Sequence, residues 1–323
     1  MRWKRRRFLL RIWRNRRQIT SVINRTGDIG PSDIILFATM RNEMVRLPHF
    51  LDHYRALGAK HFLIVDNGSD DGTAAYLRDQ PDISLWTTDH SYKLARFGMD
   101  WLGWLQWQHG AGHWCLTVDA DELLTFPHDE TRDLQELTTW LDQRDIPAFG
   151  AIMLEMYPKG PLGQDSEADP IKALPWFDAH NYRHRTHPVY QNRWIQGGVR
   201  ERVFFADDPD KSPTLSKTPL VKWHWRHVYV SSTHQMLPLR LNHVFDHPDR
   251  PTGALLHTKF LPVIRAKSAE EIGRRQHFEN SDLYINYHQQ LAEGPDLWSP
   301  DSTRYEGWEQ LVSLGLMSKG DWV

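Results

Sequence analysis

A single cysteine, Cys115, occurs in 323 residues, so no intrachain disulfide can form. That agrees with a reducing, cytoplasmic setting. No hydrophobic run reaches membrane-span length, and no small-residue cleavage site follows the basic N-terminal stretch; the expectation is a chain without a spanning helix or a cleaved leader. The first strand is not followed by G-x-G-x-x-G, and G-x-x-x-x-G-K-[ST] occurs nowhere, so neither the dinucleotide fingerprint nor the P-loop is supported. HExxH and cysteine-based zinc spacings are missing too. A formal net charge of −2 leaves little reason to expect a nucleic-acid partner.

What the chain does have is a set of apolar runs that end in acids. The run Trp114-Cys115-Leu116-Thr117-Val118 reads as a short buried strand and stops at Asp119-Ala120-Asp121-Glu122. Along an extended chain Asp119 and Asp121 project the same way while Ala120 points elsewhere. Carboxylates are costly to bury uncompensated, and two convergent ones suit a hard divalent cation, Mn²⁺ or Mg²⁺. The plainer alternative is that Asp121-Glu122 caps a following helix. A second unit, Phe62-Leu63-Ile64-Val65, ends at Asp66-Asn67-Gly68-Ser69-Asp70-Asp71 with a helix expected from Thr73. A third runs from Asp33 to Ala38, then Thr39-Met40-Arg41-Asn42-Glu43, then a helix towards Leu57 with Pro48 in its first turns. Strands alternating with helices predict an open α/β sheet, mixed but mainly parallel, which binds ligands outside the carboxyl ends of its strands.

These three motifs, taken together, resemble the family 2 glycosyltransferases, and more narrowly a bacterial group that opens with Arg-Asn-Glu. The similarity continues through Gly197-Gly198-Val199-Arg200-Glu201-Arg202, Ser232-Thr233-His234 and Leu255-Leu256-His257-Thr258-Lys259-Phe260. The resemblance implies a Rossmann-like GT-A fold, a nucleotide-sugar donor, a divalent metal and single displacement with inversion. Carried over residue by residue, Thr39, Arg41, Asn42, Glu43, Asp66, Asn67, Ser69, Arg96, Asp119 and Lys259 are expected to bind the donor. Asp119 and Asp121 would hold the metal, with His257 (or His234) completing its shell. Glu201 takes the position of the base that activates the acceptor hydroxyl. Its alternative reading is an ion pair with Arg200 or Arg202, in which case the base is sought first at Asp178 or Glu155. For Asp66-Asn67-Gly68 nucleotide binding is the preferred reading, because motif and strand context agree, and a bare turn is the alternative; for Lys93 and Arg96 the alternative is a surface charge.

The N-terminal residues 1–17 interleave nine cations with Trp, Phe, Leu and Ile, and carry no acid. Two readings stand side by side, contact with an anionic membrane surface and a solvated arm. Further along, a helix is expected from Leu134 to Leu141 and a strand from Phe149 to Met156. The Pro- and Gly-rich stretch from Pro158 to Pro175 reads as an acceptor-side loop or lid. Ala266 to Tyr287 reads as a charged helix, and the tail as an appended packing element. The domain expectation is a basic arm (1–30), a glycosyltransferase domain (31–262) and a C-terminal helical extension (263–323). The functional expectation is a cytoplasmic enzyme, held near the inner membrane face, that acts on a glycan or lipid-linked acceptor in envelope or extracellular polysaccharide synthesis. A nucleotidyltransferase and a non-catalytic carbohydrate-binding protein are the alternatives.

Overall fold

The computed structural model describes residues 1–163, 169–264, 268 and 281–322. Its centre is a nine-stranded sheet. The first half follows the alternating pattern of the sequence: β2 (Ile35–Met40), α2 (Leu47–Ala56), β3 (His61–Asp66), α3 (Thr73–Arg78), β4 (Ile83–Thr87), α4 (Met99–His109) and β5 (Trp114–Thr117). β2 pairs in parallel with both β3 and β5, and β3 with β4. These strands are buried on both faces, which is why their sequences are almost continuously apolar rather than alternating.

Beyond β5 the directions mix. β11 (Ser216–Lys222) runs antiparallel to β5 and to β7 (Ala148–Glu155), while β14 (Gly253–His257) is parallel to β7. The strand that closes this edge, β6 (Glu122–Thr125), pairs antiparallel with β14. Asp121-Glu122 therefore does not cap a helix; the chain goes from one strand to another. The mixed, mainly parallel α/β sheet flanked by helices is the architecture expected.

Two apolar layers cover the sheet. On one face Phe50, Leu51 and Tyr54 of α2 pack with Leu36, Phe62, Leu116 and Leu137. Leu137 belongs to α5 (Leu134–Asp142), whose start is fixed by a capping box between Asp133 and Glu136. On the other face Trp101, Leu102 and Leu105 of α4 meet Ile35, Phe37, Leu63 and Val65. Cys115 sits buried here, and burial pushes its thiol up well beyond its ordinary range. It is a core residue.

The ends of the chain are tied to this centre. Residues 1–30, expected as an arm, contribute α1 (Arg2–Asn15) and an edge strand β1 (Thr20–Ile23) that pairs antiparallel with β4. Ile12 of α1 is buried against α4, where Gly103 leaves room for it; a Cβ there would lie 2.7 Å from Ile12 Cδ1. At the other end, Leu291, Leu311, Met317 and Trp322 join the core layer that contains α2. The helix Ser281–Glu293 lies there; most of the helix expected from Ala266 to Tyr287 lies outside the described residues. The stretch from Pro158 to Pro175, apart from 164–168, holds one isolated bridge, Pro161 to Asp296, and a four-residue helix, Pro170–Ala173. No helix among the described residues is long and apolar enough to cross a membrane.

Candidate functional site

The order of strands reverses between β2 and β5: β3 and β4 follow β2 on one side, and β5 lies on the other. At such a point two carboxyl-end loops diverge and leave a crevice between them. A cavity of about 480 Å³ opens there. The loop after β2 lines it with Thr39, Arg41, Asn42 and Glu43; the loop after β5 adds Asp119, Ala120, Asp121 and Glu122. Lys217 enters from β11, His257 and Lys259 from the end of β14, and Tyr92, Phe97 and Tyr287 provide aromatic walls.

The three acids after β5 meet different partners. Asp119 and Asp121 keep part of their side chains open, at 38% and 25% of full exposure, whereas Glu122 is buried. Lys217, itself buried, places its ammonium 3.0 Å from Asp119 Oδ2 and in contact with Glu122 Oε1. The second oxygen of Glu122 accepts from the Asp119 backbone N–H at 3.2 Å. Burial pushes the Glu122 carboxyl up to about 7, against the pull of Lys217. Burial also acts to lower Lys217, yet the two carboxylates hold its ammonium above its usual range.

Asp121 is held by a separate set. Its Oδ2 lies 3.1 Å from His257 Nε2 and 3.8 Å from Arg46 Nη1. Burial would raise its pKa, but His257 first, then Arg46 and Lys259, keep it well below the carboxylate range. For His257 burial works downward, and Asp121 with Glu155 overcome it, so the imidazole is raised. Its Nδ1 lies 3.8 Å from Glu155 Oε1, and Glu155 is clasped by Arg200. Asp119 and Asp121 thus share a cavity but not partners. Among the described residues no group of three or more His, Cys, Asp or Glu is arranged to hold a metal ion. The set Asp119, Asp121 and His257 is brought to one cavity without being gathered into one cluster: His257 is engaged with Asp121 and Glu155. His234, the other histidine considered, also lines the cavity; its Nδ1–H donates to the Ser216 carbonyl at 2.8 Å. Burial drives its pKa down to about 3, so it is neutral.

The acid-rich loop after β3 is built differently. Asp66 is buried and its Oδ2 accepts from the Ser69 N–H at 3.2 Å; the Ser69 hydroxyl accepts from the Asn42 N–H at 2.9 Å. Asn42, in the left-handed region at φ 52°, exchanges two hydrogen bonds with Asp70. Arg41 donates to the Asn67 carbonyl at 3.1 Å, and the Asn67 amide donates to the Thr88 and His90 carbonyls. Asp66 and Ser69 are not among the residues lining the cavity; they shape the loop that presents Arg41, Asn42 and Asn67 to it. Two buried acceptors nearby, Asp66 Oδ1 and Thr39 Oγ1, have no hydrogen-bond partner among the described residues.

Besides Asp66 and Ser69, two more expected site residues are not brought to the cavity. Arg96 is fixed by Asp100 at 2.6 Å and by the Tyr229 carbonyl at 2.7 Å, with its guanidinium over the Phe8 ring. It anchors the start of α4 instead of facing a phosphate. Glu201 lies in α7 (Gly198–Phe204), with Arg183 on one side and the Ser212 hydroxyl at 2.6 Å. The pairing with Arg200 or Arg202 does not form either, because those arginines bind Glu155 and Asp178. Asp178 is further tied to Tyr157 and Asn181, and Glu155 to Arg200, so neither alternative base is free of a partner.

Residues that the sequence reading passed over complete the site: Lys217, Arg46 and Glu122. The signal for Lys217 was its setting, a lone lysine within Leu215-Ser216-Lys217-Thr218-Pro219-Leu220-Val221. A lysine inside a buried strand requires an acidic partner.

The sequence matches no family model and no curated protein. Among solved structures it is similar to a 4-diphosphocytidyl-2C-methyl-D-erythritol synthase, at 17% identity and a TM-score of 0.27, over 43% of this chain and 68% of that one. It is also similar to a putative glucose-1-phosphate thymidylyltransferase from Bacillus anthracis, in complex with a sucrose, at 8% identity and a TM-score of 0.29 over 80% and 83%.

Proposed function

We propose that the protein is a glycosyltransferase that moves a sugar from a nucleotide-sugar donor to a hydroxyl acceptor, with inversion. The observation that carries this reading is the meeting of two partly open carboxylates, Asp119 and Asp121, with the cationic Arg41 and Lys259 in one cavity at the strand-order reversal. The buried Thr39 hydroxyl, which lines the cavity without a hydrogen-bond partner among the described residues, supports it, since an unmet buried polar group calls for a partner and a nucleoside carries several hydroxyl and N–H groups.

Asp119 and Asp121, the two partly open carboxylates of the cavity, are the residues that would hold a Mn²⁺ or Mg²⁺ ion. Bound there, it would take up charge on the departing diphosphate. The chain's own groups bind and orient the donor and shield the site. Arg41 and Lys259 face the phosphates, Lys217 keeps Asp119 oriented and neutralises Glu122, and the Tyr92, Phe97 and Tyr287 rings limit water at the reacting centre. Glu201, tied to Arg183 and Ser212, is a structural residue in this reading.

A second reading, nucleotidyl transfer from a nucleoside triphosphate to a sugar phosphate, is favoured by one observation. Lys217 supplies a fixed buried ammonium beside Asp119, of use where charge develops on a phosphorus centre. One experiment separates the two. The purified protein is offered a panel of nucleotide sugars, or nucleoside triphosphates with sugar 1-phosphates, each with and without Mn²⁺. Release of nucleoside diphosphate with sugar transfer is expected; release of pyrophosphate instead would establish the second reading. Asp121→Ala should cut turnover roughly a thousandfold, several kcal/mol of charge stabilisation, while Glu201→Gln stays within about threefold. A hundredfold loss in Glu201→Gln with donor binding intact would return the base to that residue.

A further inference from the structure

The cavity leaves the most strongly charged element of the molecule unexplained. The first 17 residues hold nine of the 39 Lys and Arg and none of the 41 Asp and Glu. The remainder of the chain is therefore net acidic, and the local excess of positive charge lies on α1 and the two arginines that follow it. That helix is not a loose arm. Ile12 is buried with Tyr190, Val228 and Leu237, Phe8 and Leu9 pack beside them, and Arg11 and Asn15 bind Asp100 at 2.6 and 2.7 Å.

Docking by that face turns a different one outward. Trp3, Leu10 and Trp13 are spaced by seven and three residues, so they share one side of the helix, and they are 78%, 46% and 46% exposed. Arg6 lies over the Trp3 ring and Arg16 over Trp13, the latter at 4.1 Å. Arg11 also donates to the carbonyl of Leu94, a residue 74% exposed that stands between the cavity-lining Tyr92 and Phe97. Rings and an aliphatic side chain, ringed by arginines, are held rigidly next to the segment that walls the cavity.

We infer that the outward face of α1, with Leu94, is a docking surface for an anionic lipid bilayer. Arginines meet the headgroup phosphates while Trp3, Leu10 and Trp13 reach the acyl boundary just beneath them. Charge complementarity alone would also admit a nucleic acid. The exposed rings and leucine gain nothing from a duplex backbone, whereas a bilayer offers them an apolar boundary beneath its phosphates. The inference is independent of what the cavity binds, since it uses none of the cavity's charged groups.

The test is co-sedimentation of the full chain with vesicles of phosphatidylcholine, with and without one-third phosphatidylglycerol, at 0.1 M salt. Wild type should bind the anionic vesicles at least about tenfold more tightly than the neutral ones. The triple variant Trp3→Ala/Leu10→Ala/Trp13→Ala should lose about tenfold or more on the anionic vesicles, with an unchanged circular dichroism spectrum and thermal midpoint. Leu94→Ala, outside the helix, should lose a smaller factor in the same direction. Binding by the triple variant equal to wild type would overturn the inference, because attraction would then be charge alone. So would tighter binding of wild type to duplex DNA than to the anionic vesicles.

Discussion

The loops after β3 and β5 both end a buried strand in a run of acids, yet they neutralise those acids by opposite means. After β3, Asp66, Asp70 and Asp71 are met by groups close in space within the two neighbouring loops: the Ser69, Thr73 and Met44 N–H groups and the Asn42 side chain. After β5, Asp119 and Glu122 depend on Lys217, which lies 98 and 95 residues further on, and Asp121 depends on His257, 136 residues further on. Neutral hydrogen bonds suffice for the first loop because its outer acids remain near water. The second lies deeper and needs charge. The first is a loop that shapes itself; the second exists only once the sheet has closed.

Removing the cation is the strongest way to break this contrast. Lys217→Met leaves Glu122 buried beside Asp119 with no counter-charge, and should destabilise the fold by about 3–5 kcal/mol in urea unfolding. Adding Glu122→Gln should recover most of that loss, as a double-mutant cycle would register. A loss under about 1 kcal/mol would mean that the long-range compensation described here is unimportant.

A smaller effect sharpens the contrast through pH. His53 in α2 backs β6, the strand that follows the β5 loop, donating from Nε2 to the Leu124 carbonyl at 2.8 Å. Burial takes its pKa from 6.5 down to about 4, with the Leu124 hydrogen bond partly opposing. Between those values the unfolded chain binds the proton and the folded one does not. His53 therefore contributes stability fully above about pH 6.5 and loses it as pH falls towards 4. Wild-type stability should drop across that window, and His53→Gln should flatten this part of the slope; an identical slope in the variant refutes the assignment.

The smallest effect belongs to the other loop. Asp71→Ala removes acceptors from the Met44 and Thr73 N–H groups at 3.0 and 2.9 Å, the first of them exposed, and should cost about 1 kcal/mol. Its carboxyl, for which burial is outweighed by these hydrogen bonds, is lowered, so that contribution is present above the usual carboxylate range and is lost as pH falls below it. A cost equal to that of Lys217→Met would erase the distinction between the two loops.

The same contrast marks how far the sequence could be read. β2, β3, β5 and β7 were legible because a strand buried on both faces must be apolar throughout, and the acids that stop each run are visible for the same reason. Alternation of strand and helix predicted the open α/β sheet, but the reversal of strand order at β2 and β5 is a property of the folded sheet. β6 was not legible: Glu122-Leu123-Leu124-Thr125 is four residues long and becomes a strand only by pairing with β14, 128 or more residues later. Arg96 and Glu201 were assigned to the site from motif position, and their partners, Asp100 and Arg183, redirected them.

By itself, then, the sequence determined most of the central strands, the strand ends where the cavity opens and the two open acids, because these rest on local hydrophobic pattern and on groups a few residues apart. Tertiary structure alone decided which cations answer which acids, and that α1 docks by Ile12 and so turns Trp3, Leu10 and Trp13 outward. Ion pairing and helix orientation depend on distances between residues far apart in the chain, and those distances come into being only when the sheet and its helical layers close.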